Sequence, residues 1–134
     1  WLRARGFKEN MIGLRRVLRV CYRQSVRGFA VKSPASEAEL QKELNGAATT
    51  LCVVDWSATW CGPCQRVKPL FEALSEEHDD IVFLNCDIDT LKGPASEAGI
   101  STVPTFHIVK EGQLVEGIVG SDVEALKAAI NKHK

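Results

Sequence analysis

A short apolar run from Leu51 to Trp56 is interrupted only by Asp55, and it constrains the fold more than any other feature of the chain. Its length and the absence of alternation predict a strand that is buried on both faces, in the middle of a sheet. Such a strand needs helices on both sides of the sheet to cover it. The run therefore predicts a layered α/β architecture.

The rest of the sequence from residue 30 onward alternates between strand-like and helix-like segments. A strand is expected at Ala30–Ser33, followed by a helix capped either by Ser33 before Pro34 or by Ser36 with Glu39. The later predictions are a helix from Cys61 to about His78 with Val67, Leu70, Phe71 and Leu74 on its buried face, a strand at Ile81–Cys86, a short helix or loop at Leu91–Gly99, strands at Val103–Val109 and Leu114–Val119, and a last helix capped by Ser121 with Glu124. This order predicts an α/β fold with a central mixed β-sheet flanked by helices on both faces.

The first 32 residues carry a strong positive charge on a chain whose net charge is zero. They hold nine Lys or Arg residues against Glu9 alone, and an apolar helical face is marked by Leu14, Val17, Leu18 and Cys21. We interpret residues 1–29 as a mitochondrial matrix presequence, cleaved after Phe29, and residues 30–134 as the folded domain. Residues 1–10, before Met11, are interpreted as upstream translated sequence or part of a fragment. The alternatives are a plastid transit peptide, a cytoplasmic protein, or a nucleic-acid- or membrane-binding arm.

Two cysteines with a two-residue spacing, Cys61 and Cys64, lie where the predicted central strand gives way to a helix. A helix N-terminus stabilises a thiolate on the first cysteine, which we expect to be exposed, while Cys64 is expected to be shielded. The pair then supports thiol–disulfide exchange. A zinc site is the alternative, but it needs a second pair of ligands, and Cys52 and Cys86 are isolated in the sequence. No metal is expected, and the odd, scattered cysteines point to a reducing compartment.

The segment Val54-Asp55-Trp56-Ser57-Ala58-Thr59-Trp60-Cys61-Gly62-Pro63-Cys64 resembles the thioredoxin signature. The resemblance extends over about Val31 to Lys132 and includes Pro69, the Thr102-Val103-Pro104-Thr105 segment, Gly112 and Gly120. It implies the thioredoxin fold, no bound cofactor, and a redox-active Cys61–Cys64 pair. It also implies recharging by an NADPH-dependent thioredoxin reductase.

The resemblance also implies roles for residues around the motif. Asp55 would be the buried proton acceptor for Cys64, and a cis bond at Pro104 would turn the backbone of Val103 toward Cys61 to pair with a substrate. The place of Trp60 beside Cys61 suggests an exposed platform for substrate, with simple packing as the alternative. One position departs from the family, because Asn85 stands where many relatives have a lysine near the buried aspartate.

Gly62 and Pro63, between the two cysteines, favour a reductant, since oxidising relatives usually carry histidine there. The sequence therefore predicts a monomeric protein-disulfide reductase that acts on disulfide-containing proteins such as peroxiredoxins, with no nucleic-acid or membrane partner. A disulfide isomerase or oxidase, and a non-catalytic interaction module with the same fold, remain alternatives.

Overall fold

The computed structural model describes residues 31–47 and 49–134. The predicted presequence at residues 1–29 lies outside the described residues. The elements are α1 (Glu37–Gly46), β1 (Leu51–Ser57), α2 (Gly62–Glu77), β2 (Val82–Asp87), α3 (Lys92–Glu97), β3 (Thr105–Lys110), β4 (Gln113–Val119) and α4 (Val123–His133). None of the helices in this part of the chain combines the length and apolar character needed to cross a membrane.

The four strands form one mixed sheet in the order β2-β1-β3-β4, which confirms the predicted architecture. Strand β1 runs parallel to β2 and antiparallel to β3, and β3 and β4 form an antiparallel hairpin. The hairpin turns at Glu111 and Gly112, both of which have positive φ. The apolar run is the inner strand β1, with its first six residues buried, as predicted.

Helices cover both faces of the sheet, and each face has its own core. Helices α2 and α4 pack on one face, where the buried side chains include Val53, Phe71, Phe83, Phe106 and Leu126. Helices α1 and α3 pack on the other face, where the buried side chains include Leu40, Trp56, Leu84, Leu91 and Ala95. Successive side chains of β1 alternate between the two cores, because strand residues point to opposite faces in turn. This alternation puts Asp55 on the same face as α2.

The predicted first strand is reduced to a single bridging residue, Lys32, beside Leu84 of β2. Its backbone N–H donates to Phe83 at 3.0 Å, and its carbonyl accepts from the N–H of Asn85 at 2.8 Å. Pro34 has no N–H to continue such a ladder. Of the strand predicted at Ala30–Ser33, the described residues 31–33 therefore form one bridge and not a full strand.

The observed helix caps and the observed exposure of one helix residue contradict three further predictions. Helix α1 is capped by Ser36, whose Oγ accepts from the N–H of Glu39 at 3.2 Å, so the Ser33 alternative was wrong. Helix α4 is capped by Asp122 and not by Ser121, because the Asp122 carboxylate accepts from the Ala125 N–H at 3.0 Å. Leu70 is 50% exposed. The stripe of α2 that faces the sheet is thus narrower than the apolar pattern indicated.

Candidate active site

The two motif cysteines lie where the chain leaves β1 and enters α2. Cys61 is the N-cap of α2, and Gly62 and Pro63 form its first two positions. Proline is well suited there, because the first N–H groups of a helix have no intrahelical partner. Cys61 and Cys64 are joined in a disulfide, with their Cα atoms 5.3 Å apart. One helical turn thus presents both sulfurs at the carboxyl end of the inner strand.

The environments of the two sulfurs differ in hydrogen bonding more than in exposure. Cys61 and Cys64 are 5% and 3% exposed, so the predicted exposure of Cys61 was wrong for this disulfide form. Cys61 packs against Ala58, Cys64 and Val103, which explains its burial. Its Sγ, however, accepts the backbone N–H of Cys64 at 3.2 Å. A sulfur that receives an N–H at a helix N-terminus is the better stabilised thiolate once the disulfide opens.

The loop that precedes β3 lies against the disulfide. The Val103–Pro104 peptide bond is cis, the isomer that the resemblance implied. The carbonyl oxygen of Val103 is 3.7 Å from Sγ of Cys61, and the Val103 side chain is partly buried against the two cysteines. Val103 and Cys61, which are more than forty residues apart in the sequence, are thus neighbours at the disulfide.

Two tryptophans near the motif have opposite environments. Trp60 is 68% exposed, and its Nε1–H donates to Oδ2 of Asp89 at 2.9 Å. Trp56 is buried, and its Nε1–H donates to Nδ1 of His107 at 3.2 Å. The exposure predicted for Trp60 is therefore confirmed. Asp89 had no sequence signal beyond its place after β2.

Asp55 is 2% exposed and lies on the α2 face of β1. One carboxylate oxygen, Oδ2, accepts from Nδ2 of Asn85 at 2.8 Å. The other, Oδ1, is buried without a hydrogen-bond partner among the described residues. Burial raises the pKa of Asp55 from 3.8 to about 6, although the Asn85 hydrogen bond acts in the opposite direction. The carboxyl group can therefore exchange a proton close to neutral pH.

A cavity of about 90 Å³ opens beside Cys64. It is lined by Ser57, Ala58, Thr59, Cys64, Gln65, Lys68, Asn85 and Asp87. The cavity is polar and large enough for water. Sequence reasoning did not find it, because its walls come from three separate elements.

The remaining described cysteines, Cys52 and Cys86, are free and buried. Burial raises the pKa of the Cys86 thiol to about 12 and that of the Cys52 thiol still further. Both therefore stay protonated, unlike a reactive thiol. Across residues 31–47 and 49–134, no three or more His, Cys, Asp or Glu side chains gather in a way that would hold a metal ion.

A redox-active cysteine pair at a helix N-terminus, on a mixed sheet with helices on both faces, defines a thiol–disulfide oxidoreductase. Comparison with known proteins agrees: the thioredoxin family model matches residues 31–132. The chain belongs to the thioredoxin family.

Three similar proteins illustrate the relationship. Pig (Sus scrofa) thioredoxin is 45% identical over 102 residues, which are 76% of this chain and 97% of that protein. The crystal structure of thioredoxin NaTrxh from Nicotiana alata is 37% identical, with a TM-score of 0.75 over 78% of this chain and 92% of that one. A further structure belongs to work on the thiol resolving mechanism in yeast mitochondrial 1-Cys peroxiredoxin via glutathione/thioredoxin systems. It is 29% identical, with a TM-score of 0.70 over 77% of this chain and 95% of that one.

Proposed function

We propose that the chain reduces protein disulfides with Cys61 as the attacking nucleophile and Cys64 as the resolving thiol. The observation that carries this assignment is the N-cap position of Cys61, whose Sγ accepts the backbone N–H of Cys64. Cys64 lies inside the first turn of α2 and receives no comparable stabilisation as a thiolate. Cys61 is therefore the thiol that ionises first.

The reaction then proceeds by two exchanges. The Cys61 thiolate attacks one sulfur of the target disulfide, the target S–S bond breaks, and a mixed disulfide forms as one target thiolate leaves. Cys64 next loses its proton and attacks Sγ of Cys61. This step releases the second target thiolate and closes the Cys61–Cys64 disulfide. The target gains two electrons, and the two cysteines lose them.

Asp55 is proposed to accept the proton from Cys64, directly or through a water molecule in the neighbouring cavity. Its burial supports this role, because the raised pKa lets the carboxylate take a proton at physiological pH. Val103 and Pro104 are proposed to pair with the target backbone beside Cys61, and exposed Trp60 to provide an apolar contact surface. Gly62 and Pro63, which lie between the two cysteines, are proposed to complete this contact surface.

The proposed electron donor is an NADPH-dependent thioredoxin reductase, and the proposed targets are disulfide-containing proteins such as peroxiredoxins. Membership of the thioredoxin family supports the first, and the similarity to the chain from the yeast mitochondrial peroxiredoxin work supports the second. We propose that the protein acts as a monomer.

A coupled assay tests the proposed activity. With thioredoxin reductase, NADPH and insulin, the protein is expected to drive NADPH oxidation and insulin precipitation at catalytic concentrations. Without the reductase, NADPH oxidation should stop. In a separate assay with dithiothreitol as the reductant, the protein should still accelerate insulin reduction. A protein that accelerates neither reaction would be an interaction module with the same fold.

The proposed location is the mitochondrial matrix. Its support is the sequence of residues 1–29, which is rich in arginine and poor in acidic residues. Residues 11–33 fused to a fluorescent protein are expected to direct it to mitochondria, and the mature protein should begin at or near Ala30. A matched fusion with Arg15, Arg16 and Arg19 changed to glutamine should stay in the cytosol. Plastid or cytosolic signal from the unmodified fusion would contradict the proposal.

A further inference from the structure

We propose that Asn85 is a positioning residue for the resolving step, because it holds Oδ2 of Asp55 and leaves Oδ1 as the oxygen that takes the proton from Cys64. The inference rests on the proposed role of Asp55 as proton acceptor.

The sheet places Asn85 and Asp55 side by side. They are register partners on the parallel strands β2 and β1, so their side chains leave the same face of the sheet. Nδ2 of Asn85 donates to Oδ2 of Asp55 at 2.8 Å and to Oγ of Ser57 at 3.0 Å. An amide nitrogen carries two protons, so these two hydrogen bonds use both of them. The Asn85 side chain is therefore held from two sides.

This contact makes the two oxygens of Asp55 unequal. A proton on Oδ2 would face the Nδ2–H of Asn85, so that two donors would point at each other. A proton on Oδ1 meets no such donor, because Oδ1 has no partner among the described residues. Oδ2 can accept from Asn85 whether the carboxyl group is charged or neutral. The Asn85 contact therefore persists while Oδ1 gains and loses a proton.

Asn85 also connects Asp55 with the resolving thiol. It lines the cavity of about 90 Å³ whose walls include Cys64, and it contacts Asp55 directly. Water in this cavity would have polar neighbours in Asn85, Ser57 and Lys68. Asp55 itself is not among the residues that line the cavity, so Asn85 is the side chain that both lines it with Cys64 and contacts the carboxyl group.

The contact orients Asp55 without adding a charge to it. The titratable and charged groups that line the cavity beside Asn85 are Cys64 and Lys68 of α2 and Asp87 of β2, and Cys86 of β2 interacts electrostatically with Asp55. The other charged side chains of α2, including Arg66, Glu72, Glu76 and Glu77, are exposed. On β3, the register partner of Asp55 is the apolar Phe106. A lysine at position 85 would hold Asp55 ionised through charge pairing. A neutral amide stabilises the carboxylate less, so Asp55 can still release and take a proton near neutral pH.

The test measures the resolving step alone, as release of a preformed mixed disulfide on Cys61 followed by stopped flow across pH. In the wild-type protein, the rate should rise with pH through an inflection that belongs to Asp55. Asn85→Leu removes the donor at similar volume and should move this inflection upward by about one pH unit. The rate at pH values below the inflection should then fall severalfold, up to about tenfold. Asn85→Ala should move the inflection in the same direction, which keeps the test decisive if the leucine variant does not fold.

Two further variants separate this inference from the proposed function. Ser57→Ala leaves the Asn85–Asp55 hydrogen bond in place and should keep the inflection near its wild-type pH. Asp55→Asn should remove the inflection, and adding Asn85→Leu to it should change nothing more. If Asp55→Asn removes the inflection but neither Asn85 variant moves it, Asn85 only packs, and the inference is wrong. If Asp55→Asn leaves the inflection in place, the proposed role of Asp55 fails and the inference fails with it.

Discussion

Replacing Cys61 by serine is expected to abolish disulfide reduction, whereas replacing Cys64 should leave attack intact and accumulate mixed disulfides with target proteins. The reason is that Sγ of Cys61 accepts an N–H at the N-terminus of α2, so this thiol forms the nucleophilic thiolate. Without Cys64, the other cysteines of the part of the chain that the structure describes, Cys52 and Cys86, are buried and not placed to displace the bound target. Mass spectrometry of each variant after incubation with an oxidised substrate measures the trapped adduct directly.

The expected loss for Cys61→Ser is complete within the sensitivity of the assay, since a serine hydroxyl does not attack a disulfide. Cys52→Ala is the matched control, because Cys52 is a buried free thiol in the core on the opposite face of the sheet. This variant should reduce insulin at the wild-type rate, even if it unfolds at a lower urea concentration. Adducts on Cys64 in the Cys61→Ser variant, with none on Cys61 in the Cys64→Ser variant, would reverse the assigned roles.

Asp55→Asn is expected to stabilise the oxidised protein, and the gain should depend on pH. The folded protein raises the pKa of Asp55 from 3.8 to about 6 by burial. At pH 3.5, below both pKa values, the carboxyl group is mostly neutral in the folded and the unfolded state, so asparagine should make little difference. Between pH 4 and 6 the unfolded state ionises first, and the wild-type protein loses stability as pH rises. Above pH 6 the full penalty remains, and asparagine avoids it.

The size of the effect follows from the difference between the two pKa values. At about 1.36 kcal/mol for each pKa unit, Asp55→Asn should raise the free energy of unfolding by about 3 kcal/mol above pH 6. Urea unfolding at pH 3.5 and pH 8 measures the difference, and Asp79→Asn is the control because Asp79 is exposed. The same variant should slow the resolving step and spare the attack by Cys61. Equal destabilisation at both pH values with unchanged turnover would reduce Asp55 to a structural hydrogen-bonding group.

The features that the sequence predicted correctly are those with a local signal. The segment Leu51–Trp56 is apolar except for Asp55, and such a segment predicts an inner strand. Strand β1 is this inner strand. The Cys61–Cys64 spacing fits the first turn of a helix, and α2 provides that turn. The Ser36–Glu39 capping contact also depends only on neighbouring residues.

Two of the predictions that failed, the exposure of Cys61 and the burial of Leu70, depended on contacts between distant segments. Cys61 is buried because Val103, from the loop before β3, packs against it, and no local pattern near Cys61 contains that information. Leu70 has the periodicity of a core residue, but the width of the contact between α2 and the sheet decides its exposure. The difference in hydrogen bonding between the two carboxylate oxygens of Asp55 likewise depends on Asn85, thirty residues later.

The reduction potential of the Cys61–Cys64 pair tests the central claim most directly. Oxidised and reduced protein equilibrated with glutathione or dithiothreitol buffers should show one two-electron transition, and it should be absent from the Cys61→Ser and Cys64→Ser variants. A reductant of this family should have a midpoint of about −270 mV, the value for thioredoxin. A midpoint between about −180 and −120 mV, typical of disulfide isomerases and oxidases, would contradict the claim, as would the absence of any transition.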